Sequence, residues 1–463
     1  MRIPFSYWWN KVKEDGSFAQ NYAVVLSGTG LNIGIQVFVT PILTRLYTPE
    51  AYGVYSLFLV VSTNLALIAS LRLPQAIMLP KAESEFRALI RIGVVASAAL
   101  SFFYFVVLFF LKDQFLSFFN ADKLIPYYYL IPVMTFLVCM NQYFGSWQYR
   151  NNLFKKSVAV DTSISIGVRG FNLAYGFLSK GTLLGLVFGD MLGKVFGLIL
   201  SWKLILKERI KGLYDGVSKN DLLQAFKTYR VYPFVNLPGV WLEMFSGQLP
   251  VLFLSFVFGL PTVGMLSLAV GIMDIPKRLF AYSATSAFYK KAVDVYESSK
   301  NGLGALVTKT LYFLLAFTVI PYSVIMVFGK ELFAVVLGGN WAASGSIARY
   351  LAMYYVIELL CVSLGSIFYV LRKEKVLFRF QVGFLFVRLM VLMVSYILGF
   401  SVDATILALS IANVVLFSTQ LWVVFDFSKL NGYKYNGIVW GAIIISVAFM
   451  FGLRFLMHEF GLM

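Results

Sequence analysis

Charge is scarce in this chain. Asp, Glu, Lys and Arg make up 13% of its 463 residues while 59% are hydrophobic, and mean hydropathy is +0.78. Soluble domains carry nearer a quarter of charged residues, so an ordinary soluble protein is excluded and a bilayer is the solvent to consider. Histidine is almost missing, with His458 alone, which removes most imidazole catalysis and metal ligation. The two cysteines, Cys139 and Cys361, lie inside apolar segments, so neither a disulfide frame nor a thiolate metal site is expected. Nothing matches a GxxxxGK[ST] phosphate loop, and any transport must draw on an ion gradient, the substrate's own gradient or another subunit. The first 20 residues carry Arg2, Lys11, Lys13, Glu14 and Asp15 but no short apolar stretch with a cleavage site, so no cleaved signal peptide is expected. No cofactor or metal is expected.

What is abundant is long apolar runs. About 20 residues cross the roughly 30 Å hydrocarbon core, and hydropathy predicts thirteen spans, at about 21–46, 51–80, 87–111, 124–146, 158–178, 182–203, 231–257, 261–289, 303–328, 345–371, 378–400, 403–425 and 437–457. The expected fold class is all-α polytopic membrane protein: an N-lobe at 21–203, a cytoplasmic amphipathic linker at 204–230, a C-lobe at 231–425, and a further linker and span at 426–463. Residues 1–20, with Phe5, Trp8, Trp9 and Val12, are expected to lie on the membrane surface. Within the linker, Ser218-Lys-Asn-Asp221 reads as a helix cap, and Leu222, Phe226 and Tyr229 share one face beyond it. The alternative for both segments is a solvated strand of linker.

The formal charge of +17 is a topology signal rather than a nucleic-acid footprint. With a cytoplasmic N-terminus, 24 of the 39 basic residues fall in inner segments, 5 in outer ones and 10 within or at the edges of spans. That bias over short loops orients the N-terminus inward and the C-terminus outward. The outer loops are short, the longest near 329–344, leaving no room for an outer catalytic domain.

A repeat organises the chain. Residues 28–81 form two apolar segments joined by a short turn, with Pro41 and Pro74 inside them and Arg45 and Arg72 towards their ends. Some 210 residues later, Pro250, Pro261, Gly264-x-x-Ser267-Leu268 and Asp274-Ile-Pro276-Lys277-Arg278 repeat the pattern of Pro41, Pro49, Gly53-x-x-Ser56-Leu57 and Arg72-Leu-Pro74. Matching halves in a polytopic chain are the mark of a transporter built from two lobes.

Charges inside spans are costly and point to function. Arg45, Arg91, Lys309 and Arg349 lie near span ends and can snorkel. Arg72, Arg169, Lys194, Lys277, Arg278 and Arg388 lie deep, as do Asp161, Asp190, Glu243, Asp274 and Glu358. Asp190 with Lys194, and Asp274 with Arg278, stand at i, i+4 and can neutralise each other. That leaves Arg72, Arg169, Lys277 and Arg388 without a local partner, to face a wet cavity or an anionic ligand. Glu243 has Gly239, Val240, Ser246 and Gly247 at its i±3 and i±4 positions. It is either a carboxylate suited to binding a proton or sodium ion, or one paired with a basic residue of another helix.

TPILTRLYTPEAYGVYSLF at 40–58 and ALIASLRLPQAIMLPK at 66–81 resemble the opening hairpin of bacterial O-antigen and capsule lipid-linked oligosaccharide flippases. This is the polysaccharide transporter family of the multidrug/oligosaccharidyl-lipid/polysaccharide superfamily. The resemblance implies two six-helix lobes in parallel repeat around a central cavity, with one extra C-terminal helix here. It also implies translocation of undecaprenyl-pyrophosphate-linked glycan across the bacterial inner membrane by alternating access, for lipopolysaccharide or capsule assembly. Its partners would be the lipid-linked oligosaccharide, membrane lipid and a glycan polymerase or assembly complex, with no nucleic acid. On this reading Arg72, Lys277, Arg278, Arg45 and Arg388 bind the pyrophosphate, Glu243 and Asp274 couple Na+ or H+, and Pro41, Pro74, Pro250 and Pro276 are hinges. A multidrug exporter of the same fold, expected to have an acidic cavity, and a membrane glycan polymerase or ligase are the alternatives.

Overall fold

A computed structural model describes residues 18–203, 217–298 and 302–459. The aromatic N-terminal segment, the start of the inner linker at 204–216 and the last four residues lie outside the described residues. All thirteen expected spans contain helix. In chain order the helices are α1 (Phe18–Leu46), α2 (Pro49–Ala69), α3 (Leu73–Ala76), α4 (Glu83–Phe110), α5 (Lys112–Phe118), α6 (Leu130–Arg150), α7 (Phe154–Ser179), α8 (Leu183–Ser201), α9 (Lys219–Tyr229), α10 (Leu237–Phe258), α11 (Leu260–Pro276), α12 (Tyr282–Ser298), α13 (Gly302–Leu337), α14 (Ala342–Leu364), α15 (Ile367–Val370), α16 (Glu374–Ile397), α17 (Val402–Phe427) and α18 (Gly432–Glu459). Among the described residues, ten helical segments are long and apolar enough to cross a membrane. The three expected spans outside that set are α6, α7 and the α11–α12 pair. They are more polar or interrupted, and they carry Asn141, Asp161, Arg169, Asp274 and Lys277. This is a multi-pass membrane protein whose less membrane-like helices carry part of its intramembrane charge.

The repeat is visible in how its helices begin. Thr48 caps α2, accepting from the Ala51 N–H at 3.3 Å, with Pro49 in the first turn, where a missing N–H costs nothing. Pro261 holds the matching place in α11, after Gly259 at φ +80°.

The chain divides into two compact units, Met1–Phe245 and Ser246–Met463. The division falls inside α10 because α9 packs on α4 and the turn at 232–236 packs on α3. Ser218 and Asp221 form a reciprocal capping box on α9, as the sequence pattern leads one to expect.

In the first unit, α6 touches α2, α4, α7 and α8. Lipid is as apolar as leucine, so helices in a bilayer are joined by close packing and hydrogen bonds rather than by the hydrophobic effect. α6 supplies both along α2. Thr135 Oγ1 donates to the Ser62 carbonyl at 3.3 Å, Cys139 Sγ to Ala66 at 3.3 Å, and Tyr143 Oη to Ser70 at 2.8 Å. Donors four residues apart meet carbonyls four residues apart, so the two helices run parallel and in register.

In the second unit, α14 is the central helix, packed by α11, α13 and α17. The C-terminal α18 lies along α13: Thr308 Oγ1 donates to Tyr435 Oη at 3.1 Å near their starts, and Arg454 reaches the Val327 carbonyl at 2.8 Å and Glu331 at 2.6 Å near their ends. Contacts at both ends lay α18 alongside α13 as one continuous helix.

Candidate functional site

The expected second span does not run unbroken from 51 to 80. α2 stops at Ala69, and Leu71 and Arg72 take left-handed backbone angles, φ +50° and +55°. Such a conformation costs an L-residue on the order of 1–2 kcal/mol, so the break must be held from outside. Pro74 lacks the N–H that a continuing helix needs. The carbonyls that the break strands are taken up by neighbours: Ser70 by Tyr143, and Ala69 by the Ser97 hydroxyl of α4 at 3.0 Å. Gly93 on α4 makes room for the Tyr143 ring, which a Cβ there would overlap. Below the break, Arg150 of α6 binds the carbonyls of Ile77 at 3.1 Å and Pro80 at 2.6 Å.

Arg72 is not without a local partner. With its amide oriented to satisfy both ends, Gln75 accepts from Arg72 Nη1 at 3.2 Å and donates to the Arg72 carbonyl at 2.8 Å. The guanidinium also lies in the field of Glu243 from α10, the residue that the local sequence leaves without a basic neighbour. Arg45 remains on α1, near the Pro41 carbonyl at 3.5 Å and exposed, and α1 continues as helix through Pro41.

The matching place in the second unit is built differently. After Pro276 the chain winds as a π-helical turn, Lys277–Ala281, and resumes as α12. Insertions of this kind in membrane helices gather at functional sites. Lys277, expected to lack a partner, is ion-paired twice, to Asp274 at 2.8 Å and Glu358 of α14 at 3.1 Å. The expected Asp274–Arg278 pair is replaced by Asp274–Lys277, because Lys277 at i+3 reaches both carboxylates. The Lys277 ammonium also sits 5.1 Å from the Tyr355 ring centre, and Tyr322 Oη donates to the Met273 carbonyl at 2.8 Å. Two carboxylates surround one ammonium in a half-buried cluster. Arg278 donates to the Gly271 carbonyl at 3.4 Å.

Arg388, also expected to stand alone, donates to Asn413 Oδ1 at 2.9 Å and Ser246 Oγ at 3.0 Å and lies 5.4 Å from the Phe384 ring centre. It ties α16 to α17 and α10.

A third feature escapes the hydropathy reading. Gly185, Gly189, Gly193 and Gly197 form a stripe on α8, and a Cβ at Gly189 or Gly193 would overlap Asn172 or Val168 of α7. This small-residue spacing allows two helices to approach closely, and it was the available signal. Asp190 and Lys194 each follow a stripe glycine by one residue and turn towards a cavity of about 500 Å³ lined by α1, α2, α6, α7 and α8. Asp190 and Lys194 do not form the expected direct pair. The Tyr55 hydroxyl binds the Asp190 carboxylate instead, and Asn141 anchors the Lys194 carbonyl at 3.2 Å. Arg169 turns back on Ser165.

The fold is that of flippases and exporters. The chain aligns with a structure described as lipid II flippase MurJ in an inward closed conformation, with TM-score 0.70 and 14% identity over 94% of this chain and 93% of that one. It aligns with an inward-facing multidrug resistance MATE family transporter of the MOP superfamily at TM-score 0.61 and 14% identity, over 89% and 95%. A MATE transporter of Vibrio cholerae in the bent form aligns at TM-score 0.56 and 13% identity, over 94% and 99%. No curated protein sequence matches the chain. The family model described as polysaccharide biosynthesis protein matches residues 18–289, more than half of the chain, and the chain belongs to that family. These neighbours are a flippase and transporters, in keeping with transport rather than with an enzyme.

Proposed function

We propose that the protein is a flippase that moves undecaprenyl-pyrophosphate-linked oligosaccharide from the inner to the outer leaflet of the bacterial cytoplasmic membrane, by alternating access, with its N-terminus in the cytoplasm. The observation that carries this reading is a transmembrane helix broken at an arginine, Arg72, in a chain of the polysaccharide biosynthesis family. A guanidinium fork holds two phosphate oxygens at once, and its bonds are strong where water is scarce. Arg45 and Arg278 would supplement Arg72. Lys277, engaged by two carboxylates, fits the coupling machinery better than the pyrophosphate. We place coupling to Na+ or H+ at the Asp274–Lys277–Glu358 cluster and at Glu243, with Pro41, Pro74, Pro250 and Pro276 as the points of bending.

Export of lipid-linked glycan in a strain depending on this protein tests the assignment. Arg72→Ala should abolish export with the protein still inserted, and Arg72→Lys should restore part of it. Full export by a stably expressed Arg72→Ala variant would place the pyrophosphate elsewhere. Reporter fusions after residues 215 and 335 should read cytoplasmic and periplasmic, and the reverse would overturn the topology.

The two carboxylates gathered at Lys277 favour one rival, a multidrug exporter for cations. Resistance to cationic dyes conferred on a sensitive host, without any effect on glycan export, would establish it.

A further inference from the structure

Arg72 opens a short segment that has little of its own to hold it in place. α3 is a single turn, Leu73–Ala76, closed by the Ile77 N–H on the Leu73 carbonyl at 3.1 Å. The segment contains Pro74 and ends at Pro80, neither of which can donate a backbone hydrogen bond. One turn of helix is unstable alone, because nucleation fixes several dihedrals for a single hydrogen bond. The place of Arg72 is therefore decided by what grips the segment from outside.

Both grips come from one face of α6. Tyr143 holds the Ser70 carbonyl at 2.8 Å, just before Arg72. Two turns further along α6, Arg150 donates from Nη1 to the Ile77 and Pro80 carbonyls at 3.1 and 2.6 Å, at the far end of the segment. The Arg150 guanidinium also lies 4.4 Å from the ring centre of Phe86 on α4, and Phe86 packs in turn on Trp147 of α6. Carbonyls at its edge and a ring against its face suit a planar guanidinium, and the compact ammonium of lysine does not reproduce that arrangement. Leu73, Ala76 and Ile77 are buried in one core with Phe86, Trp147 and Ala225 of α9. The seat of the segment is thus built by α4, α6 and α9 together.

A basic residue at the inner end of a span has an ordinary use, to orient the chain and to snorkel into the headgroups. That use leaves the charged head in water. Arg150 instead commits its head to two main-chain carbonyls and an aromatic face, all of them around the segment that Arg72 begins.

We propose that Arg150 is a positioning residue for Arg72: by capping the end of the 73–80 segment it fixes where the Arg72 guanidinium stands, without touching the transported lipid. The proposal rests on the flippase reading for what Arg72 binds, but not for what Arg150 holds.

Hydrogen exchange on the full chain in nanodiscs reads the seat by itself. Arg150→Lys keeps the charge that orients the chain and loses the planar cap. Exchange of the amides at 73–79 should rise about tenfold, with residues 52–66 of α2 unchanged. Phe86→Leu, which removes only the ring against the guanidinium, should raise the same amides by a smaller factor. No rise at 73–79 in either variant, or an equal rise along α2, would overturn the proposal. Binding of a polyprenyl pyrophosphate in the same nanodiscs reads the consequence. Arg150→Lys should weaken it about tenfold, Arg72→Ala at least as much, and the double variant no more than Arg72→Ala alone, since residues that act through one another are not additive. A double variant weakened by the product of the two factors would make Arg150 an independent contact and would overturn the positioning role. Binding undiminished by Arg72→Ala would overturn the flippase reading's pyrophosphate site, and hydrogen exchange would still decide what Arg150 holds.

Discussion

The two units carry the same sequence pattern at their second helices and solve it in opposite ways. At Arg72 the helix breaks through two left-handed residues, and the arginine is held by a neutral amide with Glu243 at a distance. At Lys277 the helix stays wound through a π turn, and the lysine is locked between Asp274 and Glu358. Proline supplies the missing N–H in both. The difference lies in what the neighbouring helices offer: α6 and α4 offer the first unit hydroxyls that cap carbonyls, while α14 offers the second a carboxylate. Equivalent positions in a repeat therefore mark equivalent stations, not equivalent chemistry. One holds its cation with a neutral amide and the other with two carboxylates.

The contrast is broken most directly at the locked end. Lys277→Met leaves two half-buried carboxylates without their cation and should cost up to about 3 kcal/mol, the lower end of the range for breaking a fully buried pair, read as a large drop in the unfolding midpoint of purified protein. Arg72→Met should shift that midpoint far less while removing export. Equal destabilisation by both would mean that the Arg72 station is structural too.

Packing separates the units on a finer scale. A Cβ on Gly345 of α14 would press into the backbone of Gly329 and Lys330 on α13, which has no room to give, whereas one on Gly193 would meet the end of the Val168 side chain. Overpacking typically costs about 1–3 kcal/mol, so Gly345→Ala should sit at the upper end of that range and Gly193→Ala at the lower, by the same thermal assay.

Glu243→Gln should change only the dependence of transport on pH or sodium, through the loss of one titratable oxygen pair near Arg72. Transport with an unaltered dependence would assign coupling to the second unit alone.

The smallest effect is local to α9. The Ser218 backbone N–H, and then its hydroxyl, hold the Asp221 carboxyl below the usual carboxylate range. A lowered value means that the cap contributes above the ordinary range and is lost as pH falls through the lowered one. Backbone hydrogen exchange across 219–229 should rise on acidification, beyond the intrinsic change in chemical rate, and Asp221→Asn should remove that dependence.

The spans, the repeat and the capping box at Ser218 were legible because each depends on residues near one another in sequence. Hydropathy located helix in each expected span, ten of them in segments apolar enough to cross a membrane among the described residues, and the pattern of Pro49 and Pro261 marked the corresponding starts. The partners of the deep charges were not legible. Lys277 finds Glu358 at a separation of 81 residues, and Arg388 finds Ser246 at 142; no local rule reaches that far. An i, i+4 rule favoured Asp190 with Lys194, but Tyr55 from α2 claims the carboxylate. The break at Leu71 was hidden for a similar reason, since Pro74 announces a kink while only Tyr143 and Ser97, from other helices, decide how far it goes.

The hydrogen-bond register between α6 and α2 distributes information unevenly. Its donors are side chains at 135, 139 and 143, and its acceptors are main-chain carbonyls at 62, 66 and 70. A carbonyl is present whatever side chain the position bears, so drift along α2 leaves the register intact, while a single change on α6 removes a rung. A lineage can therefore rewrite the side chains of α2 to suit a new cargo while inheriting its placement unchanged from its neighbour.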